Sequence, residues 1–197
     1  MRLFSVAFCA GLIAASLATT PCADATTVKH FDLGGMTASA ARVFRGTVTD
    51  VRAGSVSVGG GQLATTIYRL RVTETFKGEF ATVKDITYAD IEMIGSVKAD
   101  APGNNARHFS AFRDMPRLER GQEYLLFLTA ESRIALTSPV GLVQGLFEID
   151  TSVPSEPTAN RMNNAGLVAE VAKGPLPYAD LASRVRTIVA GQAGEKR

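Results

Sequence analysis

Side chains that bind metals or carry thiol chemistry are scarce in this sequence. Its 197 residues include two cysteines and two histidines. Both cysteines, Cys9 and Cys22, lie in an N-terminal segment that we expect to be removed, so the mature chain is predicted to have no thiol and no disulfide. His30 and His108 are far apart in the sequence, whereas a zinc site needs several converging ligands. We therefore predict no metal, no cofactor and no thiol-dependent catalysis.

A strong charge of one sign is also missing. The formal net charge is +2, and the segment expected to be removed holds one arginine and one aspartate, Arg2 and Asp24, so its loss leaves the net charge unchanged. Such a small excess provides no broad basic face for nucleic acid. The chain has no tryptophan and four tyrosines, so rings for base stacking are few. We predict that the protein does not bind nucleic acid.

The N-terminus has the three parts of a secretory signal peptide. Arg2 supplies a positive charge, an apolar stretch from Leu3 to Leu17 follows, and Ala23-Asp24-Ala25 has small residues where signal peptidase requires them. The apolar stretch is shorter than the roughly 20 residues of a membrane-spanning helix. We predict a signal peptide over residues 1–25, a single mature domain over residues 26–197 without a transmembrane anchor, and a periplasmic or secreted location.

Alternation of apolar and polar side chains predicts a mainly β fold. The pattern is clearest after Thr65, where apolar and polar residues interleave as far as Phe76. A continuous apolar run, Tyr124 to Leu128, predicts a buried central strand instead of a half-exposed one. The predicted strands cover residues 43–51, 65–76, 83–93, 124–128, 133–137 and 140–149.

The segments between these strands carry turn and helix signals. Gly54 to Gly61, with four glycines and two serines, predicts a flexible hairpin connection. Gly95 to Pro116 predicts a long loop, and Val153 to Asn164 an exposed turn. A short helical turn is predicted at 36–41, capped by Thr37. A C-terminal helix is predicted at 177–190, with one apolar face made of Tyr178, Leu181, Val185, Ile188 and Val189.

Four segments resemble a widespread class of exported bacterial proteins. Part of the chain, Arg45 to Gly78 and Gly121 to Leu128, is also similar to the netrin-module and tissue-inhibitor-of-metalloproteinase group, which has an OB-type barrel. The resemblance implies a closed, OB-like or netrin-module-like β-barrel with the C-terminal amphipathic helix packed on it. The four segments are 43–48, 68–78, 120–128 and 141–147.

The inhibitory mechanism of that group does not carry over. Those inhibitors chelate the protease zinc with an N-terminal cysteine, whereas this mature chain is expected to start near Thr26. The resemblance therefore concerns the scaffold, and a shared fold does not determine function.

Hydrolytic chemistry has little support in the sequence. Ser55 and Ser57 lie among glycines, but no Gly-x-Ser-x-Gly motif is present. Asp90 and Glu92 are two residues apart on a predicted strand, so they share a face and form a candidate carboxylate pair. Solvated carboxylates at a strand end are the simpler interpretation.

Candidate partner-binding residues lie in two places. Arg69 and Arg71 share a face of their predicted strand, and arginine is enriched at protein interfaces. The long predicted loop adds Arg107, His108, Phe109 and Arg113.

Three functions remain open at this point. The favoured hypothesis is an exported, non-enzymatic binding module that acts on a protein partner, with a secreted protease as one candidate. The alternatives are a hydrolase whose site no local motif reveals, and a structural protein of the cell envelope.

Overall fold

The computed structural model describes residues 29–95, 115–171 and 173–194. Within them the protein is mainly β, with one eight-stranded antiparallel sheet and a C-terminal helix. A 3-10 turn, Leu142–Gly145, precedes the sixth strand. The elements in chain order are α1 Leu33–Ser39, β1 Arg42–Val58, β2 Gly61–Lys77, β3 Ala81–Val83, β4 Ile86–Ile94, β5 Glu123–Leu128, β6 Leu146–Ile149, β7 Pro157–Asn160, β8 Leu176–Pro177 and α2 Tyr178–Gly194.

The longest elements are β1 and β2, which form one hairpin of two 17-residue strands. The turn between them is Gly59-Gly60, and both residues have positive φ, 58° and 79°. Two successive left-handed residues make a turn whose twist matches that of the strands, and glycine adopts them without a steric penalty. The predicted flexible connection over residues 54–61 is therefore wrong except at its tip, because Ser55 and Ser57 are paired strand residues.

The sheet buries apolar side chains on both faces. On one face, Val43 and Phe127 belong to a buried cluster that also contains helix residues such as Leu181. We call this cluster the helix-side core. The other face encloses Phe44, Leu70 and further residues, and we call this the inner core. Strand β5 sends alternate side chains into each, with Leu125 and Phe127 on the helix side and Tyr124, Leu126 and Leu128 inside. This confirms the predicted buried central strand, since β5 lies between β1 and β6.

The predicted closed barrel is wrong, because the sheet is open. Its strand order is β3-β4-β2-β1-β5-β6-β7-β8, and no ladder in the described residues joins β3 to β8. Strands β6, β7 and β8 then extend the sheet beyond β5. A single backbone hydrogen bond, from Thr137 N to Glu92 O at 2.9 Å, connects the segment after β5 to β4. Alternation shows which side chains share a face, but it does not determine which strands pair at the sheet ends.

The C-terminal helix is confirmed, and it continues four residues beyond its predicted end. α2 buries Tyr178, Leu181 and Val185 and half-buries Ile188 and Val189. The short N-terminal helix was misplaced. α1 starts at Leu33, three residues before its predicted start, because Asp32 caps it by accepting a 2.6 Å hydrogen bond from Gly35 N.

Three predictions in the second half of the chain are wrong, at least in part. The strand predicted over 140–149 begins only at Leu146, since Leu142–Gly145 forms a 3-10 turn. Residues 133–137 lie in a turn region and not in a strand. The predicted exposed turn over 153–164 contains β7, which pairs with β6. The turn after β7 is held by the buried Asn164 side chain, which accepts from Asn160 N at 3.0 Å and donates to Thr158 O at 2.9 Å. These bonds satisfy backbone groups in a segment whose polar, proline-containing sequence gave no sign of such bonding.

No helix within the described residues has the length and hydropathy needed to cross a membrane.

Candidate protein-binding surface

The helix-side face of the sheet continues along β1, β2 and β4 into a region that carries several exposed charged side chains. Residues directly opposite one another in neighbouring strands share a face, so the register defines this surface. Three rows cross it, and we call their nine residues the outer face: Thr47, Arg71 and Tyr88; Asp50, Arg69 and Asp90; Arg52, Ile67 and Glu92.

Arg69 is already paired within this surface. Its Nε and Nη2 donate to the two carboxylate oxygens of Asp90 at 2.8 and 2.7 Å. Both side chains are about half exposed, at 49% and 47%. The hydrogen bonds from Arg69 hold the pKa of Asp90 below its usual value, and those same bonds raise the pKa of Arg69. Solvent screens such a pair, so it orients the arginine more than it stabilises the fold.

Arg71 lies two residues away on the same face and is exposed. It makes no ion pair or side-chain hydrogen bond with any described residue. Its direct neighbours are Thr47 on β1 and Tyr88 on β4, and neither of these side chains is a carboxylate. Of the two arginines that the sequence singled out, Arg69 is therefore bound within the protein, whereas Arg71 is available to a partner.

The carboxylates of the outer face are also mostly engaged. Asp90 is bound by Arg69, and Glu92 accepts a short hydrogen bond from the hydroxyl of Thr65. Gly54 makes room for that contact, since a Cβ there would lie 2.5 Å from the Thr65 hydroxyl oxygen. The candidate carboxylate pair of Asp90 and Glu92 is thus divided between two different partners. Neither carboxylate is free to act as the acid or base of a hydrolytic site, and the hydrogen bonds from Arg69 lower the pKa of Asp90.

A second charged constellation lies under the N-terminal end of α2. We call it the Arg45 cluster, and sequence reasoning missed it. The cluster consists of Arg45, Glu74, Glu123, Glu156, Tyr178 and Arg186.

Arg45 is the centre of this cluster. Its guanidinium donates to both carboxylate oxygens of Glu123 at 2.8 and 3.0 Å, and to both oxygens of Glu156 at 2.8 and 2.7 Å. The guanidinium carbon also lies 4.1 Å from the centre of the Tyr178 ring. The side chains of Arg45 and Glu123 are each only 14% exposed. The hydrogen bonds raise the pKa of Arg45 and lower that of Glu156.

Tyr178 connects this centre to the first turns of α2. Its hydroxyl donates to Glu74 at 2.6 Å, and Glu74 also accepts from Arg186 on the same helix. Burial raises the pKa of Tyr178, and the neighbouring Glu74 carboxylate raises it further. Every charged group of the cluster is paired, and the raised pKa makes the Tyr178 phenol a weaker proton donor. The arrangement is suited to attaching α2 to the sheet and not to proton transfer.

No local signal in the sequence identifies the Arg45 cluster. Arg45 is separated from Glu123 by 78 positions and from Glu156 by 111 positions. Glu156 moreover lies in the segment that was predicted to be an exposed turn.

The cavities on the surface of the described part of the chain include two that could hold a small group. The first, about 380 Å³, lies between α1, α2 and residues 167–170, and its wall is mostly apolar. The second, about 460 Å³, lies beside β6 and β7 and is more polar. Neither contains a residue that the sequence singled out for partner binding. The described residues hold no group of three or more side chains suited to a metal.

The loop candidates lie outside the described residues. These are Arg107, His108, Phe109 and Arg113. His30 is exposed and lies near the start of the described residues, close to Gly166.

No protein-family model, no curated protein and no solved structure matches this chain.

Proposed function

We propose that this protein is an exported, non-enzymatic binding module that docks a protein partner on its outer face. The observation that carries the proposal is the state of Arg71. It is exposed and without an ionic partner among the described residues, whereas Arg69, two positions earlier, is tied to Asp90.

The position of Arg71 favours binding over a purely solvated role. It belongs to β2, which lies between β1 and β4, so its backbone is held on both sides. A planar guanidinium on a rigid element can bind a carboxylate through two parallel hydrogen bonds. Tyr88 beside it adds a ring with a polar tip, a side chain common at interfaces.

The partner chemistry that fits is a carboxylate side chain presented by another protein. The outer face carries three arginines, Arg52, Arg69 and Arg71, and three carboxylates, Asp50, Asp90 and Glu92. Recognition would therefore depend on the placement of the two guanidinium groups without an ionic partner among the described residues, Arg71 and Arg52, and not on net charge. A secreted protease remains one candidate partner, and the loop residues Arg107, His108, Phe109 and Arg113 remain proposed contacts.

We also propose a relation to the exported bacterial class and to the OB-type modules named above. What supports it is that β2 ends in the Lys77–Gly78 turn and that β5 follows Gly121, as the resembling segments do. Export through the predicted signal peptide is part of the same proposal.

Reversing the charge at Arg71 tests the proposed function. The chain with its predicted leader is produced in a bacterium, purified from the periplasm and used to capture proteins from periplasmic and secreted fractions of the source cells. The variant Arg71→Glu is compared with Arg120→Glu, which makes the same charge change at an exposed turn before β5.

We expect the wild type and Arg120→Glu to capture the same protein and Arg71→Glu to bind it at least tenfold more weakly. Tenfold corresponds to about 1.4 kcal/mol of binding free energy. The proposal is wrong if no captured protein distinguishes Arg71→Glu from Arg120→Glu.

A further inference from the structure

The tip of the β1–β2 hairpin extends past the strands that flank it. β4 pairs with β2 only from Thr65 onward, and β5 pairs with β1 only as far as Thr47. Residues 53–64 therefore form a two-stranded ribbon with no third strand among the described residues, apart from one hydrogen bond from Gly95 N to Ala64 O at its base. We call this segment the ribbon. At about 3.4 Å per residue it is roughly 20 Å long.

The ribbon lacks the features that usually protect a free strand edge. Natural proteins guard such edges with charged residues, proline or bulges. The sequence from Ala53 to Tyr68 contains no charged residue and no proline. The register shifts of β1 all occur before Val51, so the ribbon itself is regular.

Its side chains are largely exposed and sorted by face. On one face Val56 lies opposite Leu63, and Val58 is 46% exposed. On the other face Ser57 lies opposite Gln62, whose side chain donates to the serine hydroxyl at 2.8 Å. A two-stranded hairpin alone is at best marginally stable in water, so additional strands would stabilise this one.

The β1 edge of the ribbon is suited to pairing with itself. In an antiparallel pair of identical strands related by a two-fold axis, the numbers of any two facing residues add up to the same value. With the axis at Val56, Ser55 of one copy faces Ser57 of the other. With the axis at Ser57, Val56 faces Val58. In both registers serines meet serines or valines meet valines, and no like charges are brought together.

We propose that the protein forms a two-fold symmetric dimer in which residues Ser55–Val58 of one copy pair antiparallel with the same residues of a second copy. The two ribbons then form a continuous four-stranded segment, and the valine side chains of both copies lie on one face. The surface differs from Arg71 and its neighbours, so the dimer and the proposed partner binding can succeed or fail separately.

Sedimentation equilibrium over a range of micromolar concentrations tests the dimer, with protein purified from the periplasm as above. Ser57→Lys places two lysines at the proposed interface, while Ser183→Lys makes the same change at an exposed serine of α2. We expect the wild type and Ser183→Lys to dimerise, and the dimer dissociation constant of Ser57→Lys to rise at least tenfold. Circular dichroism checks that each variant keeps its β content.

Cysteine crosslinking tests the register. In a background with Cys9→Ser and Cys22→Ser, we expect Val56→Cys or Ser57→Cys to form a disulfide-linked dimer on mild oxidation, because both lie next to the axis. Ala81→Cys, on the exposed edge strand β3, serves as the control and should stay monomeric on a non-reducing gel. A monomeric wild type, or a Ser57→Lys variant that dimerises as well as Ser183→Lys, would overturn the proposal. So would capture of a different protein by a ribbon that does not dimerise.

Discussion

Two arginines of this protein make similar contacts in different surroundings. Arg45 and Arg69 each bind a carboxylate through two hydrogen bonds, but Arg45 is 14% exposed and Arg69 is 49% exposed. Removing one partner of a mostly buried pair leaves charges that water cannot fully solvate, whereas water replaces an exposed partner easily. The same bonding geometry therefore predicts different effects on stability.

We predict that Arg45→Met lowers the free energy of unfolding by roughly 1 to 3 kcal/mol at neutral pH, because Glu123 and Glu156 lose their shared counter-charge. Arg69→Met should cause a clearly smaller loss. Urea unfolding followed by circular dichroism measures both. Equal losses in the two variants would show that the Arg45 cluster does not stabilise the fold.

Acid pH should reduce the difference between the wild type and Arg45→Met. Arg45 lowers the pKa of Glu156 in the folded state from an unfolded value near 4.5. Stabilisation from a lowered carboxyl pKa is complete above the unfolded value and is lost as the pH falls through the folded value. Repeating the unfolding experiment below pH 4.5 should therefore bring the two proteins closer together, and a constant difference would contradict this explanation.

At the scale of elements, two glycines show how context decides the effect of a side chain. Gly145 ends the 3-10 turn before β6, and a Cβ there would lie 2.7 Å from Val140 O and 2.9 Å from Phe127 O. These are backbone atoms of packed segments, so they cannot move aside easily. Gly191 lies inside α2, and a Cβ there would meet nothing within 4 Å.

We predict opposite effects for the same substitution at these sites. Gly145→Ala should destabilise the protein by about 1 to 3 kcal/mol, because the added methyl overpacks the turn. Gly191→Ala should stabilise it by up to about 1 kcal/mol, since alanine loses less backbone entropy than glycine in a helix. Thermal unfolding of both variants measures the signs. If Gly145→Ala is neutral, the turn has more room than the structure indicates.

At the scale of the whole molecule, the two cores share their central strands. Strands β1 and β5 each contribute side chains to both the helix-side core and the inner core. Neither core can lose these strands without exposing the other. The described parts of the chain are therefore expected to unfold together.

Matched leucines test this coupling. Leu181 of α2 lies in the helix-side core and Leu70 of β2 in the inner core, and both are 0% exposed. We predict that Leu181→Ala and Leu70→Ala each cost about 2 to 5 kcal/mol and keep a single unfolding transition. Circular dichroism and tyrosine fluorescence should give coincident curves. Separate transitions, with each variant shifting only one, would mean that the cores unfold independently.

The sequence alone determined the features that depend on near neighbours. The mainly β character, the strand after Thr65, the buried strand Tyr124–Leu128 and the C-terminal helix were all predicted correctly. The periodicity of apolar side chains encodes these elements, because each residue's face is set by those two to four positions away. The exposed position of Arg71 follows from the same alternation.

Only the tertiary structure decided which distant segments meet. It left the sheet open, made β7 out of a polar turn sequence, and brought Arg45 to carboxylates 78 and 111 positions away. It also placed Asp90 within hydrogen-bond distance of Arg69 and left Arg71 without an ionic partner among the described residues. Such pairings depend on the packing free energy of the entire chain, which no local pattern contains, and this is why sequence reasoning identified candidate residues without their partners.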